Sequence, residues 1–316
     1  MTSGRPSPPG RPSATPSGQS PPPVVVSTDA DLPRLWQELG VPGTIDIHTH
    51  FLPAPVMQAV WAYFDEAEAN YGVSWPITYR WQDDARLAHL RAMGILHFTA
   101  LVYAHKSGMA AWLNDWALDF AESVPECLPS ATFFPEPDAS VYVDEALRRG
   151  ARVFKVHLQV GDFDPRDRLL DPVWGHLADA GIPVVTHCGS APLPGRFTGA
   201  GPIGEVARRF PSLRLVVAHL GAGEFADFLE MARTRPNTWL DTTMGLTGFM
   251  EGLRPFPQAL LPQLRDASRD GQVLFGSDFP NIPYPYAHQV DVLIEHGLDM
   301  PEVLWRAPAR LLGVPA

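Results

Sequence analysis

The stretch Thr44-Ile45-Asp46-Ile47-His48-Thr49-His50 combines an apolar run with two histidines that are separated by one residue. Side chains alternate between the two faces of a β-strand, so residues two apart point to the same side. His48 and His50 are therefore predicted to project together from the end of a strand. Two neutral imidazoles in that arrangement supply half of a metal site, although an isolated His-x-His pair also fits ordinary hydrogen-bonded or surface histidines.

Strand-like and helix-like segments alternate through the rest of the chain. Short, mostly unalternating apolar runs such as Arg152–Leu158 and Leu213–Ala218 indicate strands that are buried in a parallel sheet, and amphipathic segments follow them. Eight such units predict an α/β protein with a (β/α)₈, TIM-like barrel. In that fold the residues that carry chemistry lie at the carboxyl ends of the strands.

The first 28 residues differ from the remainder in composition. They are rich in proline, serine and glycine, and almost no large apolar residue precedes Val24. Such a segment cannot bury enough surface to offset its ordering entropy, so residues 1–28 are predicted to be a disordered tail. A partner-binding role is the alternative for this tail. Residues 29–316 are predicted to form a single barrel domain.

Charge and composition limit the classes of partner. The 316 residues are 45% hydrophobic and 19% charged, and the formal net charge is −11. Because residues 1–28 contain Arg5, Arg11 and no acid, the remainder carries −13. This balance argues against nucleic-acid or anionic-membrane surfaces, but it permits a small anionic substrate.

Cysteine usage and hydropathy predict the compartment. Cys127 and Cys188 are too few for a disulfide framework and fit a reducing environment. No apolar run approaches the roughly 18–20 residues of a membrane span, and the N-terminus lacks the apolar core of a signal peptide. These features predict a cytoplasmic protein.

Further ligand-type residues follow other strand-like runs. His187, His219 and Asp278 come directly after the fifth, sixth and eighth predicted strands. Singly, each histidine fits a plain strand end, and Asp278 fits a helix N-cap. Together with His48 and His50 they predict a divalent metal site, because imidazole nitrogen and carboxylate oxygen are the donors of open catalytic sites.

At this point the sequence resembles the amidohydrolase superfamily, specifically the amidohydrolase-related branch with aminocarboxymuconate-semialdehyde decarboxylase-like proteins. The resemblance covers about residues 43–312 and implies a distorted (β/α)₈ barrel. It also implies that His48, His50, His187 and Asp278 bind the metal and that His219 is the acid/base or electrostatic residue. The matching motifs are Asp46-Ile47-His48-Thr49-His50, Val185-Thr186-His187, Val217-Ala218-His219-Leu220-Gly221 and Gly276-Ser277-Asp278-Phe279-Pro280.

These residue types predict a metal-dependent enzyme. A divalent ion lowers the pKa of a bound water to about 7, and Asp278 and His219 are suited to proton transfer. Our first hypothesis is a hydrolase of a small amide, lactone or ester, and the alternative is a non-oxidative decarboxylase. Zinc is the default ion and manganese the alternative. The resemblance also favours a homodimer.

Lys155 and His157 lie on one face at the end of the fourth predicted strand. In binuclear members of the superfamily, a lysine in this place is carboxylated and bridges two metals, whereas the decarboxylase-like branch generally uses one metal. We expect one metal, with Lys155 or His157 facing the substrate. A carboxylated Lys155 would raise the number to two.

Five other residues carry weaker predictions. Asp46 is expected to anchor the strand end through hydrogen bonds, and Asp241 to support a metal ligand from behind. Arg196 could clamp a substrate carboxylate or be a solvated loop residue. His105 could line the pocket or lie outside it, and Cys188 is expected to pack rather than to bind metal.

Overall fold

A computed structural model describes Met1 and residues 28–315. Within residues 28–315 nine strands form, and every paired strand runs parallel to its neighbour. They are β1 (Thr44–Asp46), β2 (Ile95–Thr99), β3 (Cys127–Leu128), β4 (Ser130–Thr132), β5 (Val153–His157), β6 (Val184–His187), β7 (Leu215–Val217), β8 (Thr238–Asp241) and β9 (Val273–Leu274).

The strands follow the chain order around a barrel. One sheet has the order β1-β2-β3 and the second has the order β4-β5-β6-β7-β8-β9. Only Pro129 separates β3 from β4, and proline has no amide hydrogen to donate to a strand ladder. Beyond the last ladder, the Ile47 amide donates to the Phe275 carbonyl oxygen at 3.1 Å, which joins the chain after β1 to the chain after β9. The fold is thus the predicted (β/α)₈ barrel.

Helices follow the strands and cover the outside of the barrel. Helix limits follow simple local rules: the 171–180 helix has Pro172 in its first turn, where no amide donor is needed, and Gly181 ends it at φ +64°. The α-helices are α1 (Leu32–Leu39), α2 (Ala54–Asp65), α3 (Ala67–Tyr71), α4 (Asp83–Ala92), α5 (Ala110–Ser123), α6 (Ala139–Arg148), α7 (Leu158–Gly161), α8 (Asp171–Ala180), α9 (Ala200–Arg209), α10 (Phe225–Thr234), α11 (Gly248–Leu253), α12 (Leu261–Arg269), α13 (Tyr286–Glu295) and α14 (Ala307–Leu312).

The core lies inside the barrel and between its strands and helices. Residues of both faces are buried in β6 and β7, where Val184, Val185, Leu215 and Val216 are fully inaccessible. Burial on both faces explains why these strands are continuously apolar instead of alternating. The rigid strands fix where their carboxyl ends, and the side chains that follow them, are placed.

The prediction for the tail falls on residues 1–28, most of which lie outside the described residues. The division of the chain into tail and single barrel domain therefore stays a prediction. Among the helices of residues 28–315, none has the length and apolar character that a membrane crossing requires.

Candidate metal centre

The sequence-predicted residues gather at one end of the barrel. β1 leads into His48 and His50, β6 ends at His187, and the turn after β7 carries His219. Asp278 follows β9 in a left-handed conformation, with φ +73°, which is uncommon for a residue with a side chain. Its amide donates to the His48 carbonyl oxygen at 2.8 Å, so the backbone itself holds the two segments together.

His48, His50 and Asp278 form a compact cluster. One donor atom from each lies within 4.8 Å of the other two. Asp278 Oδ1 lies 3.0 Å from His50 Nε2 and 3.7 Å from His48 Nε2. Both imidazoles are buried, and both present Nε2 to the same carboxylate oxygen.

The other ring nitrogen of each histidine is held from behind. His48 Nδ1–H donates to Asp241 Oδ2 at 2.9 Å, and His50 Nδ1–H donates to the Leu101 carbonyl oxygen at 2.8 Å. Donation from Nδ1 fixes the tautomer and leaves a lone pair on Nε2. The predicted supporting role of Asp241 is consistent with this contact.

Burial and neighbouring side chains together set the protonation states of His48 and Asp278. Burial lowers the pKa of His48 to about 3, with the Lys155 ammonium acting in the same direction, so this imidazole is neutral near pH 7. Burial by itself would raise the pKa of Asp278, but its contacts with His50 and the neighbouring histidines outweigh burial and lower that pKa. The cluster thus places the neutral imidazole of His48 beside an ionised carboxylate.

His219 lies beside the cluster in a strained turn. Its φ is +56°, and its amide donates to Asp241 Oδ1 at 2.9 Å. The ring Nδ1–H donates to the Thr243 carbonyl oxygen at 3.1 Å, which leaves Nε2 as the free nitrogen of a ring that lines the cavity. Burial lowers the pKa of His219, so the ring is neutral near pH 7 and the lone pair of Nε2 is available. A left-handed conformation is costly for a residue with a side chain and persists where the surrounding structure holds it.

Asp46 anchors the end of β1, as predicted. It accepts hydrogen bonds from the His48 amide at 3.1 Å, the Ser277 hydroxyl at 2.6 Å and the Tyr286 hydroxyl at 2.8 Å. Burial raises the pKa of Asp46 to about 7, although these donors work against the rise. The carboxylate ties β1 to the Gly276-Ser277-Asp278 segment and to α13.

Lys155 is buried and lies against the cluster. Its Nζ is 2.9 Å from His48 Nε2, the nitrogen that also faces Asp278. Burial lowers the pKa of Lys155 to about 8, against the pull of Asp241 and Asp278. Two alternative roles were predicted for Lys155, a metal-bridging ligand and a substrate-facing cation. Its position next to the cluster fits both.

His187 is the predicted ligand that the structure leaves outside the cluster. Its Nε2–H donates to the Ala191 carbonyl oxygen at 3.0 Å, and its ring stacks on His157 with the centroids 3.8 Å apart. The ring centroid of His187 still lies 4.7 Å from that of His219. The loop after β6 therefore selects a ring orientation that strand position alone does not specify.

The remaining candidates fall in different places. His105 and His157 line the cavity. Arg196 is exposed, its guanidinium lies 5.0 Å from the centre of the Phe197 ring, and it does not contribute to the cavity wall. This position corresponds to the solvated alternative for Arg196. Cys188 is fully buried, which fits the predicted packing role.

A cavity of about 570 Å³ opens over the cluster. The barrel end forms its floor, where His48, Lys155 and Asp278 lie. Residues 52–75, which include α2 and α3, supply a further part of the lining and are called the cap. The sequence reasoning missed this cap and also Tyr103, whose ring lies between those of His50 and His157 at 5.8 and 5.4 Å. The signal for Tyr103 was its position at the end of the second apolar run.

Solved structures place the architecture among TIM-barrel proteins. An uncharacterised TIM-barrel protein from Bordetella bronchiseptica aligns with a TM-score of 0.68 at 18% identity, covering 86% of this chain and 98% of that one. The 5-carboxyvanillate decarboxylase from Sphingomonas paucimobilis aligns at 0.59 and 15% identity, covering 87% and 100%. A Pseudomonas putida protein provisionally assigned as a 2-pyrone-4,6-dicarboxylic acid hydrolase aligns at 0.55 and 18%, covering 86% and 98%. At these identities the likeness concerns the fold.

The sequence itself defines the family. The family model described as Amidohydrolase matches residues 45–314, which is most of the chain and includes the whole candidate site. The chain therefore belongs to the amidohydrolase family, in agreement with the resemblance seen in its motifs. The comparison with curated proteins found no match.

Proposed function

We propose that the protein is a metal-dependent hydrolase of a small amide, lactone or ester. The observation that carries this proposal is the convergence of donor atoms from His48, His50 and Asp278 within 4.8 Å at the floor of the cavity. Membership of the amidohydrolase family, whose members are generally metal-dependent, supports it.

The donor set fits a divalent ion. Two neutral imidazoles and a carboxylate are the three protein ligands of many catalytic zinc sites, in which a further position stays open for water or substrate. The contacts of Asp241 and Leu101 with the two imidazoles orient their lone pairs toward Asp278. Zinc is the default ion, manganese the alternative, and His187 is kept as a candidate fourth ligand.

Chemically, a divalent ion bound there would supply an acidified water and polarise a carbonyl oxygen. The protein residues then divide the proton transfers. Asp278 is ionised and can accept the proton of the attacking water. His219 is neutral with Nε2 unoccupied, so it can stabilise the developing oxyanion after protonation or pass a proton to the leaving group.

A non-oxidative decarboxylase is the second candidate. One observation favours it: the Lys155 ammonium lies next to the cluster, where it can pair with a substrate carboxylate. Two proteins of similar fold, the 5-carboxyvanillate decarboxylase and the protein provisionally assigned as a 2-pyrone-4,6-dicarboxylic acid hydrolase, also have carboxylated substrates in their names. Against it, the described residues that line the cavity include no arginine to hold a carboxylate in two hydrogen bonds.

The first experiment measures zinc per chain by elemental analysis after chelation, reloading and dialysis. We expect about one zinc per chain in the wild type. His50→Ala and Asp278→Asn should retain less zinc after dialysis, because each should lower the affinity for zinc by at least roughly tenfold. His176→Ala is the control, because His176 pairs with Asp144 on the outer helices. Failure of the wild type to take up any divalent ion would refute the proposal.

The second experiment separates the two reactions. Zinc-loaded protein is assayed with aryl esters, lactones and N-acyl amides by proton release, and with hydroxybenzoates by release of carbon dioxide. Turnover in the first set that disappears in His219→Asn supports the hydrolase. Turnover only in the second set, with loss in Lys155→Ala, would replace it by the decarboxylase.

A further inference from the structure

The cap presents an apolar surface to the cavity. Val60 and Phe64 of α2 lie on its inner side, and Trp75 closes it next to Phe249, with ring centroids 4.6 Å apart. Met244, in the turn after β8, and Met250 of α11 add to the apolar wall. The cap residues that line the cavity are Leu52, Val56, Ala59, Val60, Tyr63, Phe64, Tyr71 and Trp75.

The indole N–H groups of the cap tryptophans are both used in hydrogen bonds within the protein. Trp75 Nε1–H donates to the Asn281 carbonyl oxygen at 2.8 Å, and Trp61 Nε1–H donates to Asn281 Oδ1 at 3.2 Å. Because its donor is already used, Trp75 offers ring surface and no hydrogen bond to a bound molecule.

Charge is confined to the floor of the cavity. Among its described lining residues, Lys155 and Asp278 are the charged ones, and both contact the histidine cluster. Outside, the cap carries the exposed acids Glu66 and Glu68, and the exposed Arg80 is already paired with Asp65. Other polar lining residues, such as Tyr63, Tyr71 and Gln159, are uncharged. A second anionic group on a substrate would therefore find no cationic side chain among the described lining residues under the cap and acidic side chains around it.

We infer that the substrate has a single polar head at the floor and an uncharged aromatic or alkyl body under the cap. This inference rests on the proposed function for the reaction at the head. A cavity of about 570 Å³ has room for such a body, and burial of its apolar area provides the binding free energy. Dicarboxylates and other substrates with two separated anionic groups should bind more weakly, because the described lining has no cationic side chain besides Lys155.

The test compares two hydroxamates that differ only at the far end. Dissociation constants of 4-phenylbutanohydroxamic acid and succinic acid monohydroxamate are measured from the tryptophan fluorescence, on zinc-loaded and on chelator-treated protein. We expect the phenyl compound to bind at least about tenfold more tightly in both forms, since a phenyl ring buries apolar area that a carboxylate does not. Equal or tighter binding of the succinate compound overturns the inference.

Variants of the cap keep the test independent of folding defects. Val60→Lys should raise the affinity for the succinate compound and so reduce the difference between the two dissociation constants. Misfolding cannot produce such a gain in affinity. Val141→Lys is the matched control, because Val141 is 67% exposed and lies on α6 outside the cavity. If Val60→Lys leaves the ratio of the two dissociation constants unchanged, the far end of the ligand does not lie under the cap and the inference is wrong.

Acetohydroxamic acid reports on the metal separately. Its affinity should depend on zinc and be the same in wild type and Val60→Lys. If zinc has no effect on it, the proposed metal function is wrong, while the ratio on chelator-treated protein still decides the substrate class.

Discussion

At the scale of single residues, ring orientation distinguishes the histidines of the site. His48 and His50 each use Nδ1 in a hydrogen bond to the surrounding protein, so Nε2 faces the carboxylate of Asp278. His187 uses Nε2 for the Ala191 carbonyl oxygen and stacks on His157. His187 thus also follows a strand end, but its Nε2 faces a loop carbonyl oxygen and not the cluster.

The ligand role of His187 gives the first prediction. In the proposed metal-bound protein the His187 ring leaves the Ala191 carbonyl oxygen and becomes the fourth ligand. His187→Ala removes that ligand, so we expect it to weaken zinc binding by at least roughly tenfold. Competition with a chromogenic chelator measures the affinity, and His157→Ala is the control for loss of the ring stack. Unchanged affinity in His187→Ala would leave a site of three protein ligands.

Asp241 gives the second prediction, because it supports two parts of the site. Its Oδ2 accepts from His48 Nδ1, while Oδ1 accepts from the amides of His219 and Thr243. Asp241→Asn keeps the shape but removes the charge, and we expect zinc affinity to fall about 10- to 100-fold. Asp179→Asn, on the exposed side of α8, should have no effect in the same chelator competition. Equal affinities in the two variants would contradict the role of Asp241.

At the scale of elements, the end of β9 packs directly on the end of β1. A Cβ added at Gly276 would lie 2.4 Å from Thr243 Oγ1 and 2.8 Å from His48 Cβ. Both distances are shorter than real contacts, so only glycine lets the Gly276-Ser277-Asp278 segment approach His48 this closely. This is the physical reason for glycine in the motif.

The third prediction tests this approach. Gly276→Ala should lower the free energy of unfolding by about 1–3 kcal/mol and weaken zinc binding, because either His48 or the β9 end must shift. Gly252→Ala is the matched control: no heavy atom lies within 4 Å of its added Cβ, and alanine there should be neutral or stabilise α11. Urea unfolding measures both variants. The idea fails if Gly276→Ala unfolds like its control.

The elements also show which parts of the protein could be predicted from sequence. The barrel could be, because apolar runs followed by amphipathic segments have the same meaning in any parallel sheet. The grouping of His48, His50 and Asp278 could also be predicted, because the ends of their strands place them at one rim of the barrel. The orientation of His187 could not, since a loop carbonyl decides it. The cap could not either, because the apolar face of α2 has the same pattern whether it covers a core or a cavity.

At the scale of the whole molecule, carboxylates join segments that are distant in sequence. Asp46 links β1 to Ser277 and Tyr286. Asp29 performs a similar role just before α1. It accepts from the Tyr79 hydroxyl, from His89 Nε2–H at 2.7 Å and from the Ala287 amide at 2.8 Å. Asp29 thus ties the turn before α1 to the loop before α4 and to the first turn of α13.

The fourth prediction concerns the pH dependence of this link. Burial would raise the pKa of Asp29, but the hydrogen bonds from His89, Tyr79 and Ala287 outweigh it, so the pKa is lowered. A carboxylate with a lowered pKa in the folded state stabilises the protein above its unfolded pKa of about 3.9, and that contribution is lost as the pH falls below it. Asp29→Asn should therefore cost about 1–3 kcal/mol at pH 7, and the difference from wild type should shrink between about pH 5 and pH 3.

Urea unfolding at a series of pH values measures this difference, with Asp270→Asn as the control for an exposed aspartate at the end of α12. The comparison with wild type cancels the titration of all other carboxylates, which both proteins share. A difference that stays constant from pH 7 to pH 3 would show that Asp29 acts through its shape alone. A difference that disappears on acidification would show that the ionised carboxylate holds the N-terminal turn against the helices that close the barrel.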